Sequence, residues 1–221
     1  MLLPTSTVGR KILMAITGQI MIIFVVIHVL GNSTIYFSTL NAYAAALHAL
    51  PFLLWANRLV MFSMLCLHVW LGIVITLENG QAKPQTYAVT NHLSATFAGR
   101  NMIWTGSMIA AFLVYHLLHF TVQVLMPQSS ALRNPDALGR PDVFMMVVQS
   151  FRNASIAAVY VVSVTALLLH LMHGIQSSVQ TWGANNDRTR PYVTRGGVVA
   201  AIILYLAYGA IPVVIAAGLL K

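Results

Sequence analysis

The chain has 221 residues, 58% of them hydrophobic and 7% charged, with a mean hydropathy of +0.79 and a formal net charge of +8. A water-soluble domain of this length carries roughly a quarter charged residues. So little charge cannot cover a surface in water, which excludes a soluble enzyme or binding module and leaves an all-α integral membrane protein, read as a single domain over 1–221.

Five spans follow from asking where ~20 apolar residues run without a charge. The first, about 12–37, comes after Arg10 and Lys11 and carries His28. It is too long for the apolar core of a signal peptide, so it is expected to be a retained helix. The second, about 53–77, has Arg58 near its start, Glu78 at its close and His68 within. The third, about 102–126, contains VYHLLHF, with His116 and His119 three residues apart, and ends at Pro127. After it comes the longest connector, 127–153, where LRNPDALGRPD reads as turn-rich. The fourth span, about 154–181, repeats the doublet as His170 and His173; the fifth, about 198–220, has no histidine. Each can cross ~30 Å at 1.5 Å per residue. Strands of a membrane barrel would alternate over runs of ~10 residues, and nothing here alternates. No internal repeat and no low-complexity tail is read.

Seven basic residues (Arg10, Lys11, Lys83, Arg100, Arg188, Arg190, Arg195) fall on the side of the N-terminus, and five (Arg58, Arg133, Arg140, Arg152, Lys221) on the other. The bias favours a cytoplasmic N-terminus. The single cysteine, Cys66, excludes an intrachain disulfide and a CxxCH haem attachment; it reads as a small packing residue.

An imidazole at membrane depth is costly and marks a functional hypothesis. The competing reading is a neutral ring bonded to a neighbouring helix, but four helices of five carry one, and their depths are related. His28 lies 17 residues beyond Lys11 and His116 16 beyond Arg100, roughly 25 and 24 Å from the inner edge. His68 lies 10 residues before Glu78 and His170 12 before Trp182, roughly 15 and 18 Å from it; His173 is nearer still. Spans one and three thus offer one opposed layer and spans two and four another, whichever member of each doublet takes part. Two histidines from facing helices at one height suit six-coordinate haem iron, and two layers make a wire across the membrane.

Gly72 and Gly174 each follow a histidine by four residues on the same face, where a missing side chain would give a flat macrocycle room; ordinary small-residue packing is the other reading. Arg58, Arg100 and Arg152 are candidates to meet haem propionates, against positive-inside topology or lipid headgroup contact. Other chemistries fit less well. No acid or second cysteine lies at membrane depth to complete a zinc or iron site. All four acids, Glu78, Asp136, Asp142 and Asp187, sit at span ends or in loops, which disfavours a proton-relay transporter.

STVGRKILMAITGQIMIIFVVIHVLGN (6–32), LHVWLGIVITLEN (67–79), NMIWTG (101–106) with YHLLHF (115–120), and HLMHGIQSSVQTWG (170–183) together resemble the cytochrome b membrane-anchor subunit of succinate dehydrogenase and fumarate reductase. The likeness is to the single-polypeptide, di-haem type, and covers nearly the whole chain. It implies one iron ligand from each of the first four helices, matching His28, His68, His116 and His170. His28 and His116 would hold an outer haem b, His68 and His170 an inner one. His119 and His173 would then bond a propionate, a water or a quinone, or be core histidines with satisfied nitrogens. The resemblance further implies a flavoprotein partner (FAD) and an iron–sulfur subunit on the inner face, a quinone, expected to be menaquinone, and a place in a bacterial cytoplasmic membrane. Membrane lipid is the remaining partner, and no nucleic acid is expected. Some di-haem relatives carry acids at the outer quinone site and in helix four. Here Leu168 stands two before His170 and the loop 38–52 has no acid, so the family pattern places neither a quinone site nor a proton path. Asn32 and His48 are outer-side guesses, and His92 reads as solvated.

The rival expectations are a haem b anchor for another dehydrogenase, such as a hydrogenase or formate dehydrogenase, and a non-redox membrane protein such as a metal transporter.

Overall fold

The computed structural model describes residues 6–82, 96–184 and 186–221, so Lys83 and His92 lie outside the described residues. The described chain is helical, with one isolated bridge between Pro135 and Pro141 and no strand. Helix α1 (Thr7–Asn32) starts at Ser6, whose hydroxyl accepts the Gly9 N–H at 3.0 Å. That satisfies one of the donors every helix start leaves over. A 3-10 turn (Ser33–Phe37) and a short helix α2 (Leu40–His48) lead to α3 (Pro51–Gln81), which begins on a proline whose missing N–H costs nothing there. The turn α4 (Phe97–Arg100) precedes α5 (Met102–His116), which runs on into a π turn, Leu117–Thr121. Helix α6 (Val143–Arg152) is capped by Asp142, and α7 (Ala154–Thr181) by Asn153. Helix α8 (Arg190–Ala216) closes the fold and carries Pro212 inside it.

Among the described residues five segments are long and apolar enough to cross a membrane: Thr7–Phe37, Pro51–Gln81, Met102–Thr121, Ala154–Thr181 and Arg190–Ala216. The fourth has the limits expected. The third stops at Thr121, where the π turn ends the regular ladder, and not at Pro127; the fifth starts eight residues early because Arg190 and Pro191 form its first turn. Helices α1, α3, α5 and α7 form the bundle, α1 packing on α3 and α7 and α5 on α7, while α8 packs along α7 and also touches α1. Large apolar side chains such as Phe52, Leu59, Phe62, Trp104, Val114 and Leu206 point outward, as lipid-facing residues must. Cys66 also faces outward, so it is not the packing residue expected.

At the N-terminal end of the bundle Arg10 of α1 pairs with Glu78 of α3. The other end is capped, and here the connectors read as loops contain helices. Asn41 of α2 donates to Asp142 Oδ1 (2.9 Å) and Asp136 Oδ2 (3.3 Å) and accepts the Phe144 N–H (2.8 Å), which locks α2 to the start of α6. Asp136 also takes the Arg140 guanidinium at 2.7 Å and the Leu138 and Arg140 N–H groups at 2.9 Å. The Arg140 hydrogen bond is the main reason its carboxyl titrates low, at about 2. Beneath the cap, Ile35, Leu40, Val148, Phe151, Tyr160, Ile211 and Ile215 form a buried apolar cluster.

Candidate functional site

The bundle holds its histidines at two levels. Nearer the cap, His28 of α1 faces His116 of α5 with ring centres 6.0 Å apart and planes at 87°. Nearer the N-terminal end, His68 of α3 faces His170 of α7 at 6.3 Å and 64°. All four rings are half-buried. A hexacoordinate iron between two imidazoles needs two metal–nitrogen bonds of about 2 Å, plus about 1 Å from each nitrogen to its ring centre, so centres about 6 Å apart. The two pairs have that separation. Among the described residues no group of three or more His, Cys, Asp or Glu could hold a metal ion, so any metal chemistry here rests on pairs.

The lower pair is oriented by a motif that occurs twice. Thr17 Oγ1 lies 2.9 and 3.0 Å from the Leu13 and Met14 carbonyls and 2.9 Å from His68 Nδ1. Thr105 Oγ1 lies 3.1 and 3.2 Å from the Asn101 and Met102 carbonyls and 3.2 Å from His170 Nδ1. Each threonine is back-bonded to its own helix, and a hydroxyl whose proton goes to the backbone accepts from the ring. Both histidines therefore carry their proton on Nδ1 and present a bare Nε2, the form that binds a metal. The residue after each threonine is a glycine, Gly18 or Gly106; a Cβ on either would stand 3.4 Å from the Cε1 of the same ring. These glycines, not Gly72 and Gly174, border the histidines: a Cβ on Gly72 would meet Met14, and one on Gly174 nothing within 4 Å.

The sequence held a signal for this motif. Thr17-Gly18 precedes His28, and Thr105-Gly106 precedes His116, by the same 11 residues from threonine to histidine. The shared spacing in α1 and α5 rests on three residues of each helix, too sparse to stand out by composition.

At the upper pair, His28 Nε2 lies 3.2 Å from the Asn32 amide nitrogen, which can only donate, so this ring also carries its proton on Nδ1. A ligand to His28 Nε2 must displace that amide. Phe24 stacks on the His28 ring at 5.4 Å, and Tyr208 stands 6.1 Å away, its hydroxyl held by the Val25 carbonyl at 2.6 Å. His116 Nδ1 is 3.4 Å from the Tyr160 hydroxyl.

The second members of the doublets differ. His119 is 2% exposed, with Nδ1 2.9 Å from Tyr160 Oη and Nε2 3.1 Å from Ser150 Oγ. His173 instead lines a cavity of about 230 Å³ with the polar residues Thr96, Arg100, Gln176, Ser177 and Gln180 and with Gly99. Arg100 thus shares a cavity with His173, whereas Arg58 lies over the Trp55 ring at 4.9 Å and Arg152 ends α6 at the cap. His48 is exposed and bonds the Ala44 carbonyl. Compared with protein-family models, with characterised proteins and with solved structures, the chain matches none.

Proposed function

We propose that this chain is the membrane-anchoring cytochrome b subunit of a succinate:quinone oxidoreductase, holding two haems b. The observation that carries the reading is the pair of facing histidine couples, 6.0 and 6.3 Å between ring centres, at two levels of one bundle. His28 and His116 would hold one haem and His68 and His170 the other, all through Nε2. When bound, each haem supplies a one-electron site whose potential depends on its axial ligands, their hydrogen bonds and burial.

The chain's own residues would prepare these sites. Thr17 and Thr105 fix the ring protons of His68 and His170, and Gly18 and Gly106 keep the space beside those rings free of side chain. One turn and two turns beyond His170 on α7 come His173 and Ser177, and with Arg100, Gln176 and Gln180 these two would offer donors for carboxylates at the N-terminal end. The resemblance described above supplies the rest of the proposal: an iron–sulfur subunit and a flavoprotein docked at that end on the cytoplasmic side, and a quinone, menaquinone by that likeness, as the mobile electron partner. Dicarboxylate chemistry would belong to the flavoprotein.

The test is a dithionite-reduced minus oxidised spectrum with a pyridine haemochrome assay on the purified chain. Two b-type haems per chain are expected, and one remaining after His68→Ala or His116→Ala. No haem in protein made with ample haem supply refutes the reading. Subunits that copurify then separate a succinate dehydrogenase from a hydrogenase or formate dehydrogenase.

A further inference from the structure

Four hydrogen bonds run in line from the ring of His116 to the backbone of the cap helix, and their polarity can be worked out from the fixed end. Ser150 Oγ lies 2.7 Å from the Met146 carbonyl, to which it can only donate. Its single proton being spent, Ser150 must accept across the 3.1 Å contact with His119 Nε2, so that nitrogen carries the hydrogen. A neutral imidazole has one N–H, hence His119 Nδ1 accepts and the Tyr160 hydroxyl donates to it at 2.9 Å. Tyr160 has no second proton, so its oxygen accepts from His116 Nδ1 at 3.4 Å. His116 Nε2 is left as a bare lone pair.

We infer that Ser150, His119 and Tyr160 form a positioning relay that holds His116 in the Nδ1–H form and keeps its Nε2 ready for a metal. The relay does for His116 what Thr17 and Thr105 do for His68 and His170, with two further residues interposed. The extra length is needed because its anchor lies on α6, a cap element, and not on the preceding turn of a neighbouring span. The π turn at Leu117–Thr121 begins directly after His116 and contains His119; such bulges recur at functional sites. Ser150 is fully buried and Tyr160 nearly so, so water does not compete for these bonds. Phe120 stacks on His119 at 4.1 Å and Phe151 lies edge-on to Tyr160 at 4.8 Å, which restricts both rings.

This inference rests on the haem reading for its purpose, and two readouts separate the two. The first uses the full chain without haem, labelled with 15N in its histidine rings and reconstituted in bilayers, with His116 assigned by loss of its signals in His116→Gln. Nδ1–H is expected in the parent chain, and a mixture of tautomers in Tyr160→Phe. The second uses the haem-loaded chain. An acceptor on Nδ1–H makes the ring a stronger donor to ferric iron, so Tyr160→Phe should raise the potential of the His28–His116 haem. A tenfold change in its oxidised-to-reduced ratio corresponds to about 59 mV for a one-electron couple. The His68–His170 haem should not move, which a general loosening of the fold would not reproduce. Ser150→Ala, which cuts the far end, should shift the same haem in the same direction by less and serves if Tyr160→Phe does not fold. Unchanged tautomer and potential with both haems bound overturn the relay and leave the haem reading standing. A chain that binds no haem overturns both the function and the purpose assigned to the relay.

Discussion

Thr17→Val exchanges one hydroxyl for a methyl at a position 1% exposed, with almost no change of shape. The Leu13 and Met14 carbonyls keep their helical N–H partners, so the backbone loses nothing essential. What is lost is the acceptor 2.9 Å from His68 Nδ1. An orphaned buried donor costs about 1–3 kcal/mol in soluble proteins, whereas bonds between membrane helices average about 0.6 kcal/mol. A cost of about 1–2 kcal/mol follows, or a fall in Tm of about 2–8 °C for a chain of this size. Thr17→Ser keeps the hydroxyl and should lose less than half of that. Thr105→Val should cost less than Thr17→Val, because its contact with His170 is 3.2 Å and weaker. Thermal unfolding of the three variants in one detergent is the assay, with the tautomer of His68 as the local readout. Equal Tm for parent and Thr17→Val, with the His68 proton still on Nδ1, would refute the orienting role of the threonine.

Three other perturbations have defined outcomes. Asp136 titrates at about 2, below the ordinary value of 3.8; a carboxyl lowered by folding contributes stability present above about pH 4 and lost as pH falls through about 2. The Tm of the parent should therefore decline across that window relative to Asp136→Asn, in which this contribution is absent at every pH. Gly31→Ala would drive a Cβ into the Tyr43 ring and hydroxyl, costing about 1–3 kcal/mol by overpacking, and Tyr43→Ala in the same chain should recover part of it in the same melts. Arg10 and Glu78 tie α1 to α3 with side chains 15% and 34% exposed. A double-mutant cycle with Arg10→Ala and Glu78→Ala should give a coupling of about 1 kcal/mol that shrinks with salt.

The spans were legible because hydrocarbon thickness sets a long, charge-free run that composition alone reveals. The histidine levels were legible for a related reason: charges mark helix ends, and a helix converts residue count into depth at a constant rise. Other features left weaker traces. Helix α6 has a start signal in Asp142, yet it directly follows the Pro- and Gly-rich stretch 134–141, whose turn signals mask it. The π turn is one residue of extra winding inside an apolar run, and it changes neither composition nor length enough to notice. The bonds of His68 to Thr17 and of His119 to Ser150 join residues 51 and 31 positions apart. No periodicity within one helix encodes such a meeting, which depends on how two helices face each other.

The repeated threonine–glycine motif divides labour in a way that bears on how the molecule is made. Each threonine serves a histidine in its own half of the chain: Thr17 of α1 serves His68 of α3, and Thr105 of α5 serves His170 of α7. The facing couples, by contrast, always join one half to the other. During synthesis the first hairpin can therefore leave the insertion machinery with its His68 ring already set, and wait. Closure of the two levels is then a docking of two prepared halves, and a chain cut between α3 and α4 and coexpressed as two pieces should still assemble.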